Sequence, residues 1–324
     1  MRYGSPSSSS ESSARAPAPA APVISGGADR APGVRLRAAL ESLRPHQWLK
    51  NLLVFAPLAT AHRLDDPLRF GHALRTFIAW CLCASAVYVL NDLIDVQADR
   101  AHPHKCMRAI ASGRLPRSWA APLILMLVLS GFAVARGLDP RVSLVLLGYL
   151  GVMCAYALKL RDVVLLDVFV LACGYALRVA GGGLAVHIRP SSWLLAFCIF
   201  IFLSLALIKR YAELALLRER DGSAAHARAY ESGDQELVLV LGVSCGVVAV
   251  LVLALYLTGS NVAVRYAHRE LIWVAGVLLL YWVSYLWLMA HRGRMSDDPL
   301  VFAVHDRVSQ ALIVVMGLAA WFAV

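Results

Sequence analysis

Charge is scarce in this chain. Only 16% of its 324 residues are Asp, Glu, Lys or Arg, and its mean hydropathy is +0.64. An ordinary soluble domain carries about a quarter charged residues, so that class is excluded. Carboxylates are the scarcer sign, 21 against 31 Lys and Arg, which leaves a net charge of +10. Such an excess suits anionic headgroups and phosphorylated ligands. The basic residues scatter among apolar runs and form no single stripe, which argues against nucleic acid as a partner. Cysteine is also uninformative as chemistry. Cys81, Cys83, Cys154, Cys173, Cys198 and Cys245 lie inside apolar runs, with neither zinc nor disulfide spacing, and read as packed thiols. The first forty residues, with "GSPSSSSESSARAPAPAAP", lack the apolar core of a secretory signal. They also lack the apolar surface needed to offset chain entropy, so 1–40 reads as a disordered tail ahead of a membrane domain over 41–324.

What the chain has in abundance is long apolar runs. They fall near 47–63, 70–92, 118–136, 141–158, 163–185, 192–208, 236–258, 270–290 and 300–323. Most are long enough to cross about 30 Å of hydrocarbon, and backbone polar groups in lipid demand helices. The fold expected is an all-α integral membrane protein of nine transmembrane helices. Its first run is short and contains Pro57. The loops at 93–117, 159–162, 209–235 and 291–299 carry fourteen Lys and Arg, against seven on the opposite side. By the positive-inside rule the N-terminus and these loops face the cytoplasm, and the C-terminus lies outside.

Three carboxylates stand at the mouth of the second run, in "NDLIDVQAD". At about 100° per residue, Asn91, Asp92, Asp95 and Asp99 share one face if the helix continues past the membrane. Hard oxygen ligands at that density suit Mg²⁺, which binds through one or two carboxylates plus substrate phosphates. A solvated helix end bearing ordinary acids is the plainer reading. The cationic "HPHKCMR" follows at once, with His102, His104, Lys105 and Arg108. Cations beside a metal site are what a diphosphate requires, although the positive-inside rule alone also places basic residues here.

A second polar patch lies in "YALKLRDVVLLDVFVLACGYALRVAGGG". Tyr156 and Lys159 are spaced as neighbours on one helical face. Lys159, Arg161, Asp162 and Asp167 surround the turn into the fifth span. Arg178 lies well inside that span, a costly place unless it meets a cavity or a carboxylate. Gly181, Gly182 and Gly183 offer close packing to another helix. In "LIKRYAELALLRERDG", Lys209, Arg210 and Glu213 begin an amphipathic stretch, which reads equally as a substrate contact or an interfacial helix. Asp297 or Asp298, before Pro299, is first of all a helix N-cap, and Asp306 and Arg307 sit deeper in the last run, where they can pair.

"NDLIDVQAD" resembles the first motif, N-D-x-x-D-x-x-x-D, of the UbiA superfamily of intramembrane prenyltransferases. The stretches "RPHQWLKNLLVFAP", "DRAHPHK", "YALKLRDVVLLDVFVLACGYALR", "LALIKRYAEL" and "DDPLVFAVHDR" are similar to a narrower branch, the decaprenyl-phosphate phosphoribosyltransferases. That branch reads close to H-P-x-K-R-x-R-P-I-A-S-G, whereas here Cys106 and Ala109 replace the second basic residue and the proline. The resemblance covers roughly 42–324. It implies a nine-helix bundle in the inner (plasma) membrane with a cytoplasmic active site. Phosphoribosyl diphosphate would be the donor and a polyprenyl phosphate the acceptor. Mg²⁺ would be held by Asp92, Asp95 and Asp99, and Lys159 would act beside them. The substrates would meet Lys50, Asn91, Lys105, Arg108, Tyr156, Arg161, Asp167, Arg178, Lys209 and Arg210. The sequence leaves a homo-oligomer open.

Two other readings compete. A UbiA-type aromatic prenyltransferase would use the same first motif but needs a second acidic motif near 156–170, where only Asp162 and Asp167 occur. A transporter would place its polar residues near the membrane midplane, whereas most of these cluster at one face. The charge bias generates a direct test of topology. A cysteine introduced at Ser112 should react only with reagents admitted to the cytoplasmic side; labelling from outside intact cells overturns the orientation.

Overall fold

The computed structural model describes residues 32–102, 105–221, 226–227, 230–259, 266–295 and 298–323. His104 and Asp297 lie outside these residues. The chain is helical almost throughout: α1 Pro32–Ser42, α2 Ala56–Thr60, α3 Pro67–Ile94, α4 Val96–Ala101, α5 Arg117–Ala135, α6 Pro140–Leu158, α7 Leu166–Ala185, α8 Ser192–Asp221, α9 Gln235–Thr258, α10 Arg269–His291, α11 Pro299–His305 and α12 Arg307–Phe322. The two-residue strands β1 (His226–Ala227) and β2 (Tyr230–Glu231) pair antiparallel between α8 and α9. Among the described residues seven helices are long and apolar enough to span a membrane, and an eighth span arises if α11 and α12 count as one.

Asp-Pro pairs start several of these helices. Asp66, Asp139 and Asp298 each accept a backbone N–H of the first turn while Pro67, Pro140 and Pro299 supply a preset φ. The break between α11 and α12 has the same origin. Asp306 leaves the helical region, caps α12 through Ser309 N–H at 2.7 Å and takes the Tyr285 hydroxyl at 3.1 Å, so the two helices meet at 88°. Leucines, valines and tryptophans such as Leu125, Leu144, Val277 and Trp321 stay exposed on the outer faces, as a lipid-facing surface requires.

Three boundaries differ from the sequence expectation. The first run is no single α-helix: Pro45–Phe55 is a 3₁₀ segment, followed by the short α2. Eleven residues at about 2.0 Å and five at about 1.5 Å still give about 30 Å, so the segment traverses the bundle. Its ends confirm this. Arg44, just before it, meets Asp92 at one end of α3, and Leu58 packs with Ala73 at the other. Side-chain and backbone contacts hold the tighter helix. Trp48 Nε1 donates to Ser85 Oγ at 3.1 Å, Asn51 Nδ2 reaches Cys81 Sγ at 3.3 Å, and the Val54 carbonyl lies against Gly182. Second, the amphipathic stretch from Lys209 continues α8 to Asp221 and is not a separate interfacial helix. Third, α1 begins at Pro32, ahead of residue 40, because Ala38 is buried against the end of α3 and the following loop.

The glycine run packs as its composition suggests. A Cβ at Gly182 would lie 2.0 Å from the Val54 carbonyl oxygen, and one at Gly181 2.3 Å from Trp80. Both neighbours are fully enclosed, so neither moves cheaply. Gly148 on α6 has nothing within 4 Å of such a Cβ. Gly182→Ala should therefore destabilise by about 1–3 kcal/mol or more, while Gly148→Ala should be neutral or stabilising. Thermal melts of the two detergent-purified variants check the contrast.

Candidate active site

The ends of α3, α6, α8 and α10 and the starts of α7 and α11 gather at one end of the bundle, joined by polar contacts between their loops. The acidic motif sits there. Asp95 interrupts the helix (φ −88°, ψ 7°), yet Asp95 N–H still bonds Asn91 O and Asp99 N–H still bonds Asp95 O. The common face expected for the motif therefore largely survives the joint, although its carboxylates are used in two directions. Asp92 and Asp99 are buried and both accept from Arg108 Nη1, at 3.2 and 2.8 Å. Asp92 Oδ1 also takes Arg44 Nη2 at 2.5 Å. Asp95 turns to Arg161, which grips it with two nitrogens at 2.7 and 2.8 Å. Those bonds hold the Arg161 guanidinium above its usual pKa.

Two carboxylates converging on one cationic nitrogen are a fair test of whether a divalent cation fits. Asp92 and Asp99 supply the hard oxygens that Mg²⁺ takes, and substrate phosphate and water usually complete its shell. Asp95 stands apart, and among the described residues no three His, Cys, Asp or Glu side chains close round a single point. Lys105 and Lys159 are exposed at the same end, and among the described residues neither enters an ion pair. The loop that carries Lys105 and Arg108 turns at Gly113, whose φ of 85° suits glycine.

The second patch divides. Lys159 leaves the helix (φ −147°), so it does not share a helical face with Tyr156: the tyrosine is buried and the lysine exposed. Asp162 is 61% exposed, and Asp167 is fully buried. Asp167 binds Arg210 Nε at 2.7 Å and receives the Tyr230 hydroxyl at 2.7 Å, while Arg210 also meets Glu213. Burial, and then Asp167, push the Tyr230 phenol up, so it remains a donor at neutral pH. Arg178 meets no carboxylate among the described residues. Its Nε donates to Asn51 Oδ1 at 2.7 Å, Nη1 to Gly174 O at 2.6 Å and Nη2 to the Tyr149 hydroxyl at 3.0 Å. The rings of Tyr149 and Tyr175 stand 4.8 and 5.4 Å from the guanidinium carbon.

Lys50 pairs with Asp298 at 2.5 Å, joining the first segment to α11, and Lys209 lies near both. Lys50 also lines a mainly apolar cavity of about 340 Å³, together with Trp48, Leu49, Leu52, Phe77, Leu300 and Val301. Sequence reasoning left Arg44, Asn51, Tyr149 and Tyr230 unassigned. Arg44, beside Pro45 at the mouth of a span, and Asn51 and Tyr149, polar groups inside spans, carried a readable signal. Tyr230, in a polar loop, carried none.

The fold and site define a polytopic membrane protein with a polar centre of carboxylates and cations at one end of its bundle. The profile of the UbiA prenyltransferase family matches residues 52–322, and the chain belongs to that family, which makes it a transferase. It is 36% identical over 274 residues to the uncharacterized protein y4nM of Sinorhizobium fredii, spanning 83% of this chain and about half (52%) of that one. It is 37% identical over 279 residues to the nodulation protein NoeC of Azorhizobium caulinodans, spanning 86% and 90%. It is 31% identical over 297 residues to the decaprenyl-phosphate phosphoribosyltransferase of Mycolicibacterium smegmatis, spanning 87% and 92%. Among solved structures, a UbiA homologue from Archaeoglobus fulgidus bound to DMAPP and Mg²⁺ shares the fold, with TM-score 0.66 at 15% identity over 87% of this chain and 98% of that one.

Burial separates two kinds of charge here, and the difference is measurable. Removing one partner of an enclosed pair strands the other, at about 3–5 kcal/mol, so Arg210→Met should lower the melting temperature sharply. Arg161 and Asp95 are less enclosed, with 19% and 28% of their side chains exposed, so water can reach the partner left behind. Arg161→Ala should therefore lower the melting temperature clearly less than Arg210→Met does.

Proposed function

We propose that this chain transfers the 5-phosphoribosyl group from phosphoribosyl diphosphate to a polyprenyl phosphate, releasing pyrophosphate. The surplus of cations at the polar end carries this reading. Arg44, Arg108 and Arg161 already answer Asp92, Asp95 and Asp99, and Lys105 and Lys159 remain over from two separate loops. A donor with a diphosphate and a distant 5-phosphate uses cations on both sides; an uncharged aromatic acceptor would not. The similarity to decaprenyl-phosphate phosphoribosyltransferases over most of both chains supports the same substrates.

Asp92 and Asp99 would hold Mg²⁺, while Asp95 is engaged by Arg161. Bound there, the ion would supply Lewis acidity and a template for the diphosphate. The chain's own residues do the remaining work. Lys105, Arg108 and Lys159 neutralise charge that builds on the departing diphosphate, and the fixed loops hold the sugar C1 toward the acceptor. The acceptor phosphate is ionised at neutral pH, so its oxygen attacks C1 without a general base. Lys50 lines the apolar cavity and pairs with Asp298 at the start of α11, a setting in which the lipid's charged and apolar parts would meet. The fourteen-to-seven bias of the loops supports a cytoplasmic setting for this end, at the plasma membrane, where a charged sugar donor is accessible.

The aromatic prenyltransferase reading is weaker on the same geometry. Its second acidic motif would rest on Asp162 and Asp167, yet one is exposed and the other is enclosed with Arg210 and Tyr230. Purified protein supplied with labelled phosphoribosyl diphosphate, polyprenyl phosphate and Mg²⁺ should form lipid-linked phosphoribose and pyrophosphate in equal amounts, and excess chelator should abolish both. A charge-assisted phosphate contact contributes about 1.5–3 kcal/mol. Lys105→Ala and Lys159→Ala should thus each raise the donor KM about tenfold to a hundredfold. Lysine variants that leave the sugar donor untouched but abolish use of a prenyl diphosphate would sink this reading in favour of the aromatic one.

A further inference from the structure

We propose that Tyr230 is a positioning residue for the donor site: its hydroxyl fixes the 159–165 turn that presents Lys159 and Arg161. This rests on the phosphoribosyl-transfer reading. The turn joins α6 to α7 and ends in an unusual backbone. Leu165 has φ 63° and ψ −37°, and Leu166 N–H bonds Val164 O at 2.7 Å. This is a γ-turn with positive φ at its centre, the rarer and more strained kind. Leucine gains nothing from that conformation, and such strain persists only where neighbours enforce it.

Leu165 itself is only half-buried, and its flanks are too open for packing alone to enforce the turn. Val163, Val164 and Leu166 are 42%, 46% and 39% exposed. The restraint comes from across the bundle end. Tyr230, only 1% exposed, accepts Leu165 N–H at 3.1 Å and donates to Asp167 Oδ1 at 2.7 Å. Asp167 is locked in turn by Arg210 Nε at 2.7 Å. One hydroxyl therefore bridges the strained turn and the first residues of α7. At the other end of the turn, Arg161 grips Asp95 of the acidic motif. Tyr230, on β2 within the third polar loop, thus sets where the second loop holds Arg161 against Asp95 of the first and where it presents Lys159. Apart from Arg161 on Asp95, the other described hydrogen bonds of residues 163–165 are to neighbouring backbone: Val163 N–H to Leu160 O, Asp167 N–H to Val163 O and Phe169 N–H to Leu165 O.

Tyr230→Phe keeps the buried ring and deletes only the hydroxyl, so the fold is expected to survive with a melting temperature within a few degrees of the parent. Hydrogen–deuterium exchange by mass spectrometry in detergent should show faster exchange over residues 163–167, by about tenfold. The donor KM should rise about threefold to tenfold, with the acceptor KM and kcat within about twofold of the parent. Unchanged exchange over 163–167 overturns the tether. Unchanged donor KM in protein that does transfer phosphoribosyl overturns the positioning role. A joint fall in kcat, both affinities and melting temperature likewise overturns it, since that marks a core residue only. If the parent protein transfers no phosphoribosyl, the functional reading fails instead, and exchange alone still decides whether Tyr230 holds the turn.

Discussion

A charge carried to the membrane centre costs about 2.5–3.5 kcal/mol, and even at the mouth of a span it is drawn to water or an opposite charge. The polar end of this bundle is organised around that constraint. Arg44 and Arg108 answer Asp92, Arg108 also answers Asp99, Arg161 answers Asp95, and Arg210 answers Asp167. Each of these pairs joins different segments of the chain, so the bonds that neutralise the charges also fix the loops relative to one another. Arg108 is the pivot of the arrangement. By bridging Asp92 and Asp99 it folds the loop after α4 back onto the helix that carries the motif.

Arg178 obeys the same constraint by a different route. It has no carboxylate among the described residues, and three neutral acceptors and two aromatic faces share its charge. One acceptor is Asn51, in the middle of the 3₁₀ segment. That bond, with Trp48 on Ser85 and Val54 against Gly182, ties a poor helical geometry to α3 and α7 along its length. A regular α-helix would turn these side chains by about 100° per residue instead of about 120°. Lys50, next in sequence to Asn51, takes its place beside Asp298 from this register.

Much of this was legible in the sequence, and the reasons are physical. Apolar runs of membrane length announced the spans, and three acids at spacings of three and four announced the polar end. Hydropathy reports length and burial only. It is blind to whether a run such as "PHQWLKNLLVF" coils as α or 3₁₀, since that is decided by Gly182 and Arg178 far along the chain. Spacing likewise identified Asp167 and Arg210 as polar residues near the site but not that they bind each other, because their partnership depends on how α7 and α8 pack. Tyr156 and Lys159 were separated by a helix end that spacing does not reveal. Arg44 shows the opposite case: it stood beside a proline at the mouth of a span, yet its partner lies 48 residues away.

The division between enclosed and open charges follows the division of labour at a site that must both persist and react. A fully enclosed pair such as Asp167 with Arg210 is costly to open, so it serves the scaffold. Groups that meet a substrate must exchange partners readily. Lys105 and Lys159 are exposed, and Arg108 and Arg161 keep part of their surface open at 28% and 19%. The motif carboxylates lie between these extremes: Asp92 and Asp99 are buried, but their guanidinium partners reach solvent. A phosphate group arriving there offers the arginines an alternative anion, while the carboxylates keep their hard oxygens for a cation. A polar end built in this graded way can loosen where ligands enter without loosening the helices that hold it.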